Sequence, residues 1–332
     1  MNSKKLTKII LFSLFLLQSS THTMEHALQE QSVSTFAALA TNPWVVVPVA
    51  SAATLALLAH CYTQKSLSYQ KTENAIFGLY AMQGQRTTME DTRTIIPHLQ
   101  GSLHQSFYAV YDGHNGRLAA DYAHEHLITH FLKELNGKKT PQEALNNAFL
   151  TTDQQFRGKV QPGGTTAVVA FIDGMQLYCA WAGDSRAIVV GKDGKIKYAT
   201  KDHKPNAENE LKRITDAGGF VTPETDESVA RLGGNLACSR ALGNTLFRQQ
   251  EESKGLIPDP EIEQTDLADG DTIILASDGL WDDVTNKGAA TLTITSNTSL
   301  DEKAKLLAQT AFQNGSVDNI TVIIVPIKEG GS

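Results

Sequence analysis

Thr165-Thr166-Ala167-Val168-Val169-Ala170-Phe171-Ile172-Asp173-Gly174-Met175-Gln176-Leu177-Tyr178-Cys179-Ala180-Trp181 is the stretch that decides the fold. Two runs rich in β-branched and aromatic residues flank Asp173-Gly174, a dipeptide that reverses the chain tightly between antiparallel strands. The reading is a hairpin of strands 165–172 and 175–181. Downstream the pattern repeats: 187–190, the turn Lys192-Asp193-Gly194, then 195–199. Residues 75–82, 105–111, 272–276 and 320–327 read as further strands. Many strands joined by tight turns, with few helices, favour antiparallel sheets with the helices segregated from them.

The helices announce themselves by spacing and by caps. Leu118, Ala119, Tyr122, Ala123, His126, Leu127 and Phe131 recur at helical intervals and predict a helix over 116–135. Thr140-Pro141-Gln142-Glu143 combines an N-cap, a proline in the first turn and a glutamate three residues on, and opens a helix to about residue 157. Asn206 is placed to cap a short helix over 207–217, ended by Gly218-Gly219. Ser299-Leu300-Asp301-Glu302 is a second capping box, starting a helix to about residue 313.

Residues 1–71 have a different texture. Lys4, Lys5 and Lys8 precede an apolar run over 9–17 and then Gln18-Ser19-Ser20, so 1–20 reads as a signal-like targeting segment. Within 21–71, residues 36–59 are mostly apolar and about long enough to span a bilayer, followed by a polar linker. Lys65 and Lys71 flank one end of that span and Glu25 and Glu30 the other, which places the following domain on the cytoplasmic side. The competing reading is a cleaved leader followed by export to a periplasm or the exterior.

The 332 residues carry a formal net charge of −7. That argues against a nucleic-acid partner, which needs a basic surface. It still admits a phosphate substrate, because bound metal ions invert a local potential. The three cysteines, Cys61, Cys179 and Cys238, are scattered and form no C-x-x-C pair, so they indicate neither a zinc site nor a disulfide framework. Cys179 and Cys238 read as small buried hydrophobes.

Chemistry is signalled by aspartates at strand ends. Asp112-Gly113-His114 follows one strand, Gly183-Asp184-Ser185-Arg186 another, and Asp278-Gly279-Leu280-Trp281-Asp282 a third; Asp318-Asn319 precedes the last. Each Asp-Gly alone is most often a turn. Together they suit Mg²⁺ or Mn²⁺, hard cations that take oxygen ligands from carboxylates, carbonyls and water. Ends of strands from distant parts of the chain supply such ligands on a rigid scaffold.

These strings, with others, resemble the ordered motifs of the type-2C metal-dependent protein phosphatase (PPM) family. Met82-Gln83-Gly84-Gln85-Arg86 and Met89-Glu90-Asp91 are similar to its opening motif, and Val110-Tyr111-Asp112-Gly113-His114-Asn115-Gly116 to its second. Gly163-Gly164-Thr165-Thr166-Ala167, Asp202-His203-Lys204-Pro205 and Gly234-Asn235-Leu236-Ala237-Cys238-Ser239-Arg240-Ala241-Leu242-Gly243 match later ones, and Asp318-Asn319-Ile320-Thr321 completes the order. The resemblance covers residues 72–329. It implies an α+β domain, an αββα sandwich of two packed antiparallel β-sheets flanked by helices.

The resemblance also implies roles. Asp112 bridges two Mn²⁺ or Mg²⁺ ions, Asp278 and Asp318 hold one of them, and the Gly113 carbonyl holds the other, supported by Glu90 with Asp91 in the water network. Asp184 and Asp282, with Asp278, form a weaker third-metal site. Arg86 binds the substrate phosphate and His114 is the general acid. Lys204, His203 and Arg240 read as structural. The implied activity is that of a monomeric serine/threonine phosphoprotein phosphatase acting on phosphoserine and phosphothreonine. Two neighbouring metal ions lower the pKa of a shared water, and protonating an alkoxide leaving group contributes roughly 10²–10⁴-fold. Asn244 stands where the family usually has aspartate, and Cys238 where it has valine. Segment 206–234, the family's flap region, is compact, and 248–257 is short. The alternatives are an inactive relative that binds phosphoproteins and a metallophosphoesterase for small phosphate esters; the first lacks a lost ligand to mark it, the second a histidine-rich motif.

Overall fold

The computed structural model describes residues 76–159, 161–225 and 228–329. The signal-like segment and the membrane span expected within 1–71 lie outside these residues. Among the described residues no helix is long and apolar enough to cross a membrane.

The hairpin at the centre of the sequence is formed by β6 (Ala167–Asp173) and β7 (Gln176–Ala182), paired from Asp173↔Gln176 to Ala167↔Ala182. Its two-residue loop is Gly174-Met175, one position later than Asp173-Gly174. Gly174 has φ +58°, a left-handed value that glycine adopts without steric cost. The hairpin belongs to an antiparallel sheet in the order β13 (Glu261–Asp266), β7, β6, β3 (Gln105–Tyr111), β2 (Thr92–Ile96). A second antiparallel sheet runs β1 (Gly78–Met82), β15 (Ile320–Pro326), β14 (Thr272–Ala276), β8 (Arg186–Val190), β9 (Ile196–Ala199).

Side-chain alternation explains why the central strands are apolar throughout. On β3, Tyr108 and Val110 pack with Val168, Trp181, Val189, Leu275 and Ile323, so the two sheets meet face to face. Phe107, Ala109 and Tyr111 point the other way, into a layer with Leu127, Phe131, Leu145 and Phe149. Those four come from α1 (Leu118–Asn136) and α2 (Pro141–Arg157). On the far side, Ile188, Ile274, Val322 and Ile324 pack with Ala289 and Leu307, from α5 (Asn286–Thr295) and α6 (Leu300–Asn314). Strands buried on both faces need apolar residues at every position. Each large side chain so buried contributes about 1.5–3 kcal/mol. The result is the expected αββα sandwich.

Three smaller features matter for the site. A short sheet joins β12 (Leu242–Gly243), β5 (Gly164–Thr165) and β4 (Gly113–His114). The turn α4 (Asp278–Trp281) follows β14 directly. The compact segment after residue 206 holds α3 (Glu208–Asp216) and a ribbon of β10 (Val221–Thr222) with β11 (Arg231–Leu232).

Two caps differ from expectation. Ala207, not Asn206, is the N-cap of α3 and makes no side-chain cap bond; Asn206 Nδ2 instead donates to Glu224 Oε2 at 3.0 Å. Ser299 accepts the Glu302 N–H at 3.3 Å, but the reciprocal bond of a capping box is absent among the described residues. The box at Thr140 and Glu143 is complete.

Candidate active site

The strand-end aspartates converge. Asp112 follows β3, Asp184 follows β7, Asp278 follows Ser277 at the end of β14, and Asp318 precedes β15. Antiparallel pairing brings those ends together: Ala276 of β14 is paired with Val322 of β15 and with Arg186 of β8. Arg86, Glu90, Asp112, Gly113, His114, Asp184, Asp278 and Asp318 all line one open cleft of about 480 Å³. Asp91 is fully buried instead, accepting the Ser277 hydroxyl at 2.8 Å. Asp282, at the end of α4, stands beside Lys204. A smaller cleft of about 160 Å³, lined by residues such as Ser106, Ile172, Met175 and Val325, lies at the other ends of the strands and gathers no acidic cluster.

The carboxylates are crowded enough to demand a cation or a proton. Burial, then the charges of Asp278, Asp91 and Asp184, push Asp112 well above the usual carboxylate range. Asp278 is raised likewise, by burial and by Asp184 and Asp282. Burial takes Asp91 up to about 6 and also raises Asp282. Like charges crowded together in this way favour keeping one carboxyl protonated or binding a cation. An all-oxygen set of this kind fits Mg²⁺ or Mn²⁺.

The cations of the protein already answer part of that charge. Arg86 is exposed and donates through one guanidinium nitrogen to Asp318 Oδ2 at 2.6 Å. Lys204 Nζ donates to Asp184 Oδ2 at 2.7 Å and lies 3.5 Å from Asp282 Oδ1. Burial opposes the Lys204 charge, but Asp184, Asp282 and Asp278 more than offset it and raise its pKa. Glu90 is fixed by Thr88 Oγ1 and by the Gly116 N–H, both at 2.9 Å, and its own N–H donates to Asn319 Oδ1 at 2.7 Å. His114 contacts Asn244 through Nε2; burial lowers its pKa, and the Asn244 hydrogen bond acts the other way.

His203, Glu210 and Glu261 also bring ligand-type atoms within 4.8 Å of one another. Their hydrogen bonds argue against a metal there. His203 Nδ1 accepts the Gly183 N–H at 3.1 Å, so the neutral ring carries its proton on Nε2 and has no lone pair to offer. Glu210 is saturated by Arg213, Arg240 and Ser239. His203 and Arg240 are engaged in hydrogen bonds to Gly183 and Glu210, while Lys204 stands against two of the expected third-metal aspartates.

The sequence profile of protein phosphatase 2C matches residues 76–320. The chain belongs to the protein phosphatase 2C family. A rice (Oryza sativa subsp. japonica) member named Probable protein phosphatase 2C 52 is 38% identical over 253 residues, covering 75% of this chain and 50% of its own length. Probable protein phosphatase 2C 45, also from rice, is 36% identical over 259 residues, covering 76% of this chain and 88% of its own. The chain therefore spans about half the length of some curated protein phosphatase 2C relatives that it matches. Among solved structures, a phosphatase from a pathogenic strain of Toxoplasma gondii superposes with a TM-score of 0.66 at 25% identity, over 77% of this chain and 93% of that one. A C. elegans sex determining protein, at 24% identity and TM-score 0.68 over 86% of this chain and 75% of that one, shares the protein phosphatase 2C fold.

Some residues of the cleft had no role assigned from sequence. Asn319 ties the loop 83–90 to the start of the last strand: its Nδ2 donates to the carbonyls of Gln83 and Thr88 at 2.8 and 3.0 Å, and its Oδ1 receives the Glu90 N–H at 2.7 Å. Its place between Asp318 and the last strand was visible, but a lone asparagine carries no signal of this kind. Arg231 also lines the cleft, from the compact ribbon.

Proposed function

We propose that this protein is a metal-dependent serine/threonine protein phosphatase whose cleft hydrolyses phosphoserine and phosphothreonine in protein substrates. The observation that carries the reading is the convergence of Asp112, Asp278, Asp184 and Asp318 in one cleft with Arg86 and His114. Family membership supports the reaction class.

In this reading Asp112, Asp278, Asp318 and the Gly113 carbonyl hold two Mn²⁺ or Mg²⁺ ions, with Glu90 and Asp91 supporting them and Asp184, Asp282 and Asp278 a weaker third. Bound, the ions supply an acidified water as nucleophile and neutralise charge on the phosphate. Arg86 turns its planar donors from Asp318 to the phosphate oxygens, a geometry for which a guanidinium is suited. His114 gives a proton to the serine or threonine oxygen as the P–O bond breaks. Asn319 holds the Glu90 and Asp318 segments together, so that the ligands do not reorganise during the reaction.

The test is hydrolysis of a phosphothreonine peptide with Mn²⁺, with Mg²⁺ and with chelator. Activity should appear only with metal, and Asp112→Ala, Asp278→Ala or Asp318→Ala should each nearly abolish it. Wild-type turnover in the Asp112 variant overturns the two-metal reading. Hydrolysis of small esters but of no phosphopeptide favours the small-ester alternative.

A further inference from the structure

We propose that Asn244 is the positioning residue of the proton donor: its side-chain amide holds Nε2 of His114 and leaves Nδ1 for the departing oxygen. The inference rests on the acid role given to His114 above.

The short three-stranded sheet builds this pair. His114 of β4 is paired with Gly164 of β5, and Gly164 with Gly243 of β12, the residue before Asn244. Ring and amide therefore meet over Gly164. The Asn244 amide presents Oδ1 at 3.1 Å and Nδ2 at 2.9 Å to the same His114 Nε2. A Cβ on residue 164 would lie 2.0 Å from Asn244 Oδ1 and 2.6 Å from His114 Nε2, so only glycine leaves room for the contact. Nδ1 makes no hydrogen bond among the described residues.

Asn244 itself is anchored from both sides. It is buried, its N–H donates to Gly163 O at 2.7 Å, and its carbonyl accepts the Arg248 N–H at 2.8 Å. Its φ of +56° is a left-handed conformation that asparagine tolerates better than most residues. The preceding Gly243 donates to Asp153 Oδ1 at 2.8 Å and accepts from Arg248 Nε at 2.9 Å. A side chain held this firmly can set the orientation of a ring that it touches.

Only one amide atom can serve Nε2 at a time, and proton balance selects Oδ1. An acid that is to end as a neutral ring must hold protons on both nitrogens when it reacts, with Nε2–H donating to Oδ1. The Nδ1–H bond then breaks, an O–H bond forms on the leaving alkoxide, and the neutral ring keeps Nε2–H on Oδ1. The hydrogen bond survives the transfer and the ring does not turn. With Nδ2 facing Nε2 the ring would be neutral, and loss of its Nδ1 proton would leave an imidazolate. The aspartate found at this position in the family pattern would also accept from Nε2, but it would add a charge to a cleft already crowded with carboxylates.

The experiment compares Asn244→Ala and Asn244→Asp on a phosphothreonine peptide and on p-nitrophenyl phosphate, at saturating Mn²⁺, in wild-type and His114→Gln backgrounds. The nitrophenolate leaves without a proton. Asn244→Ala should lower peptide turnover about 10–100-fold and p-nitrophenyl phosphate turnover much less. Asn244→Asp should recover most of the peptide turnover. In the His114→Gln background, Asn244→Ala should have little further effect on the peptide, because the pair acts as a unit. Equal losses on both substrates, or an undiminished loss in the His114→Gln background, overturn the positioning role. If His114→Gln itself fails to separate the two substrates, the acid role is refuted and the positioning role falls with it.

Discussion

Replacing Glu210 by glutamine removes one charge and almost no volume from α3, in the compact segment after residue 206. Glu210 is buried, and its carboxylate accepts from Arg213 at 2.5 Å, Ser239 Oγ at 2.6 Å and Arg240 at 2.6 and 3.1 Å. Burial alone would raise its pKa, but the bonds from Arg240, Arg213 and Ser239 outweigh burial and bring it down to about 2 from an ordinary 4.5. At 1.36 kcal/mol per pKa unit the displacement amounts to about 3 kcal/mol, in the range expected when one partner of a buried ion pair is removed. A depressed folded-state pKa contributes its stability above the unfolded value and loses it as pH falls towards the folded one. Glu210→Gln should therefore be less stable than wild type by about 3 kcal/mol at pH 6–7, and the gap should close as pH falls from about 4.5 towards 2. Urea unfolding at a series of pH values measures it. A gap below about 1 kcal/mol at pH 7, or one that stays constant down to pH 2.5, refutes the reasoning. Ser239 and Arg240 directly follow Cys238, which lines the cleft, so the same variant also tests what holds that wall.

Two further outcomes are expected. Lys204→Met leaves the buried Asp184 unpaired, so in chelator the protein should lose about 3 kcal/mol of stability, most of it restored by millimolar Mg²⁺; an identical loss with and without Mg²⁺ would show that no third cation takes the place of the ammonium. The charge asymmetry around residues 36–59 predicts a phosphatase domain tethered to the membrane and facing the cytoplasm; its digestion by protease added to intact cells, or its recovery as a soluble exported protein, would contradict that topology.

The legible parts of the sequence were those that physics makes redundant. The β6–β7 pair, β3, β14 and β15 are apolar at almost every position because both of their faces are covered, and α2 carries a complete cap. The strand-end aspartates were readable because each follows or precedes such a strand. The edge strands β2 and β13 went unread, and so did α5. Glu-Ile-Glu-Gln-Thr-Asp in β13 has a single hydrogen-bonded neighbour and a half-exposed face, so its composition resembles a loop. Asn-Lys-Gly-Ala-Ala-Thr-Leu-Thr-Ile-Thr in α5 is rich in threonine, which favours strands, and packing against α6 decides the outcome. The hairpin turn slipped by one residue because Asp173-Gly174 and Gly174-Met175 both offer a glycine, and only the pairing of Asp173 with Gln176 distinguishes them. The Asn244 substitution was visible, but not its contact with His114, which depends on the left-handed backbone at Asn244 and on the empty space over Gly164.

In the sheet, β1 lies beside β15, from Gly78↔Ile324 to Met82↔Ile320, and just beyond it Arg86 reaches Asp318 across 232 positions of sequence. A chain emerging from the ribosome makes the first of these strands early and its partner last. Local hairpins such as β6–β7 can close as soon as they appear, whereas this pairing carries the largest loop-closure cost and waits for nearly the whole domain. At ordinary elongation rates the wait is on the order of tens of seconds. Through that interval the cleft lacks Asp318, so under the two-metal reading proposed above an unfinished chain would be inactive. A prematurely stopped message would yield a fragment with the inner edge of β1 open for a chaperone to shield and, on the same reading, without activity.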